Sequence, residues 1–267
     1  MVPEDHSAQS ATTDLHIHNR NVYRRKRFVE WYASRSDLQV AEAVILSEHR
    51  TSIVGARILD IGVGGGRTIP HLAPLASRYV GVDYSPELVA AALRRYPDVD
   101  LRVADARDLS EFTDDSFDAV FFTFNGIDYV THEGRLSVLG EVRRLLAPGG
   151  IFVFSTHNRS YRRFARLPWQ PPFRPGREMV RRSLAAWTAR GRRRRLAEQE
   201  VHCDEYAIIN DDAHDFTLLT YYITASHQVG QLSEAGFEHV VVHDGAGRPI
   251  DPDHPDESRP WMYYVAR

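Results

Sequence analysis

Apolar residues along this chain fall in short runs separated by segments of helical period. Arg57 to Ile61, Tyr79 to Val82, Leu101 to Val103, Ser116 to Phe122 and Ile151 to Phe154 each read as a strand. The fourth is the most apolar and is expected at the sheet centre. Between them Thr68 to Ala76 predicts a short helix, and Ser85-Pro86-Glu87 opens another. Glu133 to Leu146 places Leu136, Leu139, Val142, Leu145 and Leu146 on one inward face, and Ala147-Pro148-Gly149-Gly150 then breaks the helix. Further on, Gln228 to Ala235 predicts a helix closed by Gly236, followed by strands over Phe237 to Val242 and Met262 to Ala266. The turn between these last strands, Asp244 to Pro260, is rich in Pro, Asp and Gly and is not expected to contain a strand. Upstream, Val22, Phe28, Val29 and Tyr32 with Arg24 to Arg27 predict a basic amphipathic helix from about Asn19 to Ala33. Leu38, Ala41, Val44 and Ile45 predict a second across Leu38 to His49, while Met1 to Asp14 is polar and aperiodic, a loose terminus. Strands alternating with helices in this way predict an α/β fold.

The stretch from Thr156 to His227 departs from that rhythm. Between Arg159 and Arg195 there are 13 arginines against the single acid Glu178. Trp169, Pro171, Pro172, Phe173 and Pro175 interrupt this run as a turn, and a helix is expected from Glu178 to Arg190. Tyr206 to Asn210 and Phe216 to Ile223 then read as a β-hairpin turned by Asp211 to Asp215. The expected organisation is residues 1–50 as N-terminal helices, 51–158 and 224–267 as the core, and 159–223 as an inserted cap.

Composition narrows the function classes only slightly. The 267 residues suffice for a sizeable core, and the formal net charge of −3 points to neither a nucleic-acid binder nor an acidic tail. One cysteine, Cys203, excludes an intrachain disulfide, and no run has the length of a membrane-spanning helix or the layout of a signal peptide. A cytoplasmic protein without a membrane partner is the expectation.

The chemistry concentrates where the first strand turns into a helix. Asp60-x-Gly62-x-Gly64-x-Gly66 places an acid two residues before a run of glycines, which let the backbone approach a ligand closely. The dinucleotide spacing G-x-G-x-x-G fails in both registers, because its third glycine would fall at Arg67 or Ile69. With this motif, the Gly-Val-Asp-Tyr-Ser phrase around Asp83, and Leu-Leu-Ala-Pro-Gly-Gly before the fifth strand, the chain resembles the class I S-adenosylmethionine-dependent methyltransferases of small-molecule type. That resemblance covers about Arg57 to Ser155 and Gln228 to Arg267. It implies a Rossmann-like, seven-stranded, mostly parallel sheet with helices on both faces, a closing antiparallel hairpin, and the insertion capping an acceptor pocket between strand 5 and the last helix. S-adenosylmethionine is the implied cofactor.

The resemblance also assigns roles. Asp60, Gly62, Gly64 and Gly66 form the first motif. Asp83 accepts from the ribose hydroxyls or, alternatively, caps the following helix. Tyr84 lies against adenine or ribose, and Asp105 with Ala106 meets the adenine edge unless Asp105 only caps its loop. Backbone carbonyls at Phe124 or Asn125 meet the methionine amine, and Tyr23, Arg27 or Tyr32 its carboxylate. Methyl transfer from a sulfonium is an in-line displacement, so a base is needed only where the acceptor must lose a proton. His157 is the expected base, with the alternative that it merely shapes the pocket. Tyr129, Asn158, Tyr222 and His227 are further pocket candidates. No metal is expected: His16-x-His18 lies in the loose terminus, and no carboxylate pair follows the fourth strand. The arginine run is a solvated face, a site for an anionic acceptor, or an RNA surface. Against RNA, the loop Asn125-Gly126-Ile127-Asp128 departs from the Asn/Asp-Pro-Pro-aromatic signature of amino-methylating enzymes. The expected partner is therefore a small-molecule acceptor, with RNA methylation and a non-catalytic cofactor-binding subunit as alternatives and a homo-oligomer allowed.

Overall fold

The computed structural model describes residue 19 and residues 21–165, 187–191, 193–211 and 216–267. Among the described residues, 19 and 21–23 are helical, and helices α1 (Lys26–Ala33), α2 (Val40–Glu48) and the short α3 (Arg50–Ile53) follow before the first strand. The core then alternates β1 (Arg57–Ile61), α4 (Ile69–Leu72), β2 (Arg78–Asp83), α5 (Pro86–Arg95), β3 (Asp100–Val103), β4 (Phe117–Phe122), α6 (His132–Leu145) and β5 (Leu146–Asn158). After it come β6 (Val201–His202), β7 (Tyr206–Ile209), β8 (Thr220–Ile223), α7 (Ala225–Glu234), β9 (Val240–His243), β10 (Pro249–Ile250) and β11 (Trp261–Ala266).

The sheet runs β10-β9-β11-β5-β4-β1-β2-β3, parallel from β5 to β3, with β11 antiparallel to both β5 and β9. The chain moves outward from β1 through β2 and β3, then restarts on the other side of β1 with β4. Ligands bind at such a reversal, beyond the carboxyl ends of the two central strands. Successive strand residues face opposite sides. Leu59, Val80, Val120 and Phe152 pack with Val138, Leu139 and Leu145 of α6 and Leu232 of α7. Ile58, Tyr79, Ala119 and Val153 pack with Ile45 of α2, Ile53 of α3 and Ala92 of α5. Both faces are covered by helices.

The expected seven strands are present as β1–β5, β9 and β11, and four more belong to the same eleven-stranded sheet. One is β10, inside the turn expected to lack any strand. Pro249 is tolerated there because β10 is the sheet's edge, pairing only with Val242 and His243 of β9. The other three are the insertion. β7 and β8 form the expected hairpin, β6 adds to β7, and β8 pairs in parallel with β5 through His157↔Tyr222 and Asn158↔Ile223. β4 stops at Phe122, so the side of β5 it leaves open is taken by β8. Trp261 of β11 pairs with His157 on the other side. With neighbours on both flanks, β5 continues to Asn158, past the Phe154 boundary the apolar run suggested. At its start, Ala147–Gly150 ends the helix as expected but is absorbed into β5 by a register shift between Phe117 and Ala119 of β4.

Two other expectations change. Leu136 of α6 is 39% exposed, and the inward place is taken by Arg135, which is fully buried. Arg135, Val138, Leu139 and Val142 are the residues in helical register. α7 begins at Ala225 rather than Gln228, because the Thr224 side chain caps it by accepting from the His227 backbone N–H. Of the helix expected over Glu178 to Arg190, residues 187–190 are helical and the remainder lies outside the described residues, as do most of the hairpin turn and the proline-rich turn.

Candidate functional site

The glycine loop follows β1 and packs so tightly that side chains are excluded. Gly62 sits at φ +66°, and a Cβ there would lie 2.7 Å from the Phe122 ring at the end of β4. At Gly65 a Cβ would lie 2.5 Å from Ala33 Cα, so the C-terminus of α1 rests directly on the loop. Asp60 lies beneath, fully buried, accepting from Thr68 Oγ1 and from Tyr79 OH at 2.6 Å. Burial pushes its carboxyl up to about 6. Asp60 therefore pins the start of α4 to β1 and lines no cavity. Gly66, also outside the cavity wall, lies against Tyr96 and Ile69.

Asp83, at the tip of β2, reaches across the loop. Its Oδ2 accepts from Gly64 N at 2.9 Å and its Oδ1 from Ser85 N at 2.8 Å. The α5 cap is not Asp83 but Ser85, whose hydroxyl accepts from Leu88 N. Burial raises Asp83 to about 6, and its carboxylate lines a partly open cavity between the glycine loop and the ends of β2, β3 and β4. Gly62, Gly64, Tyr84, Asp105, Ala106, Phe124, Tyr23 and Tyr129 line the same cavity. Asp105 is bidentate with Arg107 (2.9 and 2.7 Å) and also accepts from the Arg107 backbone N–H. Tyr23 makes edge contacts with Tyr84 and Tyr129, ring centres 5.9 and 5.5 Å apart. Arg67, the residue that breaks the dinucleotide spacing, is nearly buried and bidentate with Glu42 of α2 (2.6 and 2.9 Å) and donates to Thr123 Oγ1. It ties the N-terminal helices to the loop after β4.

That loop is unusual in its backbone. Phe124 and Asn125 both adopt φ +59°, a left-handed conformation that asparagine tolerates and phenylalanine rarely adopts. Ser155 Oγ holds the turn by accepting from Asn125 N at 2.9 Å, and the buried Asn125 Oδ1 has no hydrogen-bond partner. The short helical turn that follows, Gly126–Tyr129, delivers Asp128 into the interior.

Asp128 organises a second, wider cleft of about 830 Å³, lined by Asn125, Tyr129, His157, Tyr222, Trp31 and Trp261 among others. Asp128 is fully buried. Its Oδ1 accepts from Arg135 Nη1 and Thr156 Oγ1, both at 2.6 Å. Its Oδ2 accepts from the His157 backbone N–H at 2.6 Å and pairs with His157 Nδ1 at 2.7 Å. A ring nitrogen facing a carboxylate carries the proton, so the geometry favours the tautomer with Nε2 as acceptor. Nε2 has no hydrogen-bond partner among the described residues, and His157 forms part of the cleft wall. Arg135 is held further by Ile127 O, Thr156 Oγ1, Gln228 Oε1 and Gln231 Oε1. Burial with full satisfaction is what allows an ion pair here.

Asn158 does not line either cavity. Its amide donates to Asp256 O and Arg259 O at 2.9 and 3.1 Å, holding the segment that presents Trp261. His227 lines neither cavity; its Nδ1 lies 2.7 Å from the hydroxyl of Thr224, the residue that caps α7. Tyr222 lines the cleft and donates to Asp211. The two cavities meet at Tyr32, Phe124 and Tyr129, which line both. Sequence reasoning missed Asp128 and Arg135. The signal available for the second was its spacing, since Val138, Leu139 and Val142 repeat from it at helical period.

Known proteins agree with this architecture. Residues 58–150 match the family model described as a methyltransferase domain. A ubiquinone biosynthesis O-methyltransferase of Xanthomonas campestris is 36% identical over 121 residues, 43% of this chain and 49% of that protein. A probable S-adenosylmethionine-dependent methyltransferase of Mycolicibacterium smegmatis is 35% identical over 105 residues, 39% of each chain. This chain thus spans about half the length, or less, of the curated relatives it matches. In fold it is similar to the Burkholderia thailandensis 1,6-didemethyltoxoflavin-N1-methyltransferase, with a TM-score of 0.55 and 14% identity over 100% of this chain and 91% of that one. Over residues 58–150, then, the chain is similar to S-adenosylmethionine-dependent methyltransferases, and outside that segment the likeness is one of fold.

Proposed function

We propose that this protein transfers a methyl group from S-adenosylmethionine to a small-molecule acceptor whose attacking atom gives up a proton, an hydroxyl in the first instance. The observation that carries the reading is the pair of cavities joined at Tyr32, Phe124 and Tyr129, one walled by the glycine loop and Asp83, the other by His157.

The residues of the cavity beside the glycine loop fit the cofactor. Asp83 keeps lone pairs free for ribose hydroxyls while bonding the loop, and Gly62 and Gly64 leave the backbone bare beside it. Asp105 and the Ala106 backbone suit an adenine edge, and Tyr84 can pack against adenine or ribose. Tyr23 and Tyr32 cover the loop from the N-terminal side, with Phe124 and Asn125 carbonyls available to the amine. Bound there, S-adenosylmethionine supplies an electrophilic methyl carbon on a positively charged sulfur. Asp60 and Gly66 support this wall from behind, as Asn158 supports the cleft.

His157 then acts as the base. Asp128 fixes its tautomer and stabilises the imidazolium formed when Nε2 accepts the acceptor's proton. The O-methyltransferase relative supports oxygen as the acceptor atom. The test is a methyl-transfer assay of the purified protein with labelled cofactor against pools of phenols, amines and total RNA. Incorporation into phenols supports the reading. Incorporation into RNA alone would overturn it in favour of the arginine-rich insertion as an RNA surface, and none with any pool would favour a non-catalytic subunit.

A further inference from the structure

The acceptor cleft is charged in an unusual way. Arg27, Arg35 and Arg163 line it, and the only carboxylate on its wall among the described residues is Asp211, which is already bonded to Tyr222. In this protein most arginines near the core are neutralised: Arg57, Arg67, Arg107, Arg135 and Arg144 each pair with a carboxylate. Arg27, Arg35 and Arg163 make no ion pair among the described residues, although acids outnumber bases in the chain. Arg27 and Arg163 are exposed, but Arg35 is half-buried, and an unneutralised cation in such a concave site costs energy unless an anion joins it.

Arg35 is the best placed of the three. Its guanidinium stacks over the Trp31 ring at 3.9 Å and lies 5.7 Å from the centre of Phe124. Stacking holds the planar fork in one orientation without using its donors, which are then free for bidentate recognition. Its Nε is shut from solvent with no acceptor in reach. Between Arg35 and the base runs a continuous aromatic wall: Phe124 lies 5.2 Å from Trp261, and Trp261 lies 6.3 Å from His157 in an edge contact. The geometry describes a cleft with a flat aromatic wall, the Arg35 guanidinium at one end of that wall and a proton acceptor at the other.

We infer that the acceptor is a planar aromatic anion, carrying a carboxylate or phosphate that Arg35 binds, and presenting its hydroxyl to His157. This rests on the reading of the cleft as the acceptor site and narrows it to one substrate class.

The test uses calorimetric titration of the full chain, saturated with S-adenosylhomocysteine, with two probes of equal shape, 6-hydroxy-2-naphthoate and its neutral carboxamide. The carboxylate is expected to bind about tenfold more tightly than the amide, since charge-assisted bidentate bonds replace neutral ones. In Arg35→Gln the preference should shrink at least fivefold, whereas Arg162→Gln, on an exposed arginine that faces Glu257, should leave it unchanged. Equal affinities for the two probes, no binding of either, or an Arg35→Gln variant that keeps the full preference would each overturn the anion site while S-adenosylhomocysteine still binds. Failure of S-adenosylhomocysteine itself to bind would instead overturn the methyltransferase reading beneath it.

Discussion

Replacing Asp128 by asparagine tests the buried centre of the site most severely. The side chain is isosteric, yet each of its two oxygens faces donors only: Arg135 Nη1 and Thr156 Oγ1 on one side, His157 N and Nδ1 on the other. Whichever way the amide is turned, its NH2 meets a fixed donor, Arg135 Nη1 on one side or the His157 backbone N–H on the other, and the fully buried Arg135 loses its counter-charge. Breaking a buried pair by removing one partner costs about 3–5 kcal/mol. Against a typical domain stability of about 5–15 kcal/mol, this is a large share. It corresponds to a melting temperature lower by roughly 6–20 °C, at about 2–4 °C per kcal/mol for a chain near this size. Urea unfolding followed by circular dichroism measures the loss, and the m-value checks that the unfolding transition has not changed. A loss under about 1 kcal/mol would refute the claim that the buried pair with Arg135 needs Asp128, since a surface pair is worth about that much. The companion variant His157→Gln leaves the Asp128–Arg135 pair intact and should cost far less stability.

Three further outcomes follow from the same geometry. His157→Gln should lower kcat by roughly a hundredfold to ten-thousandfold, the usual worth of a positioned base, with S-adenosylhomocysteine affinity unchanged by calorimetry; turnover near wild type would remove His157 as the base. Asp60 and Asp83 are raised by burial to about 6, against about 3.9 unfolded, so the folded chain holds protons there that the unfolded chain has already lost. Their contribution is therefore full below pH about 4 and drains as pH rises through about 6. Urea unfolding of Asp60→Asn across that window should show a flatter slope than wild type, and an identical slope would contradict the assignment. Gly65→Ala places a methyl 2.5 Å from Ala33 Cα, displacing α1 from the loop; S-adenosylhomocysteine affinity should fall at least tenfold, and unchanged affinity would mean α1 does not need to rest there.

The sequence revealed the parts of this site that are governed by local rules. Strand-ending acids and a glycine turn are set by neighbours within a few residues, so Asp60, Asp83 and the loop between them were readable, as was the central position of Phe117–Phe122. What each acid does was less readable. Asp60 and Asp83 look alike in sequence, yet one is tied up by Thr68 and Tyr79 and the other lines the cavity, a distinction made by which partner stands across the fold. The Asp128–Arg135–His157 centre was hidden for a similar reason. An arginine within a helix is normally on its outer face, so nothing local marks Arg135 as buried, and its counter-charge Asp128 comes from a different element. The extension of β5 to Asn158 was hidden because it depends on β8, which comes about sixty residues later in the chain.

The central claim is that the cavity closed by the glycine loop and Asp83 holds S-adenosylmethionine, and calorimetric titration of S-adenosylhomocysteine tests it most directly. Wild type should bind with micromolar affinity and unit stoichiometry. Asp83→Asn, which keeps its shape but loses the charged acceptor for the ribose, should bind at least tenfold more weakly while unfolding with undiminished cooperativity. No heat of binding at millimolar ligand, or equal affinity in Asp83→Asn, would contradict the account.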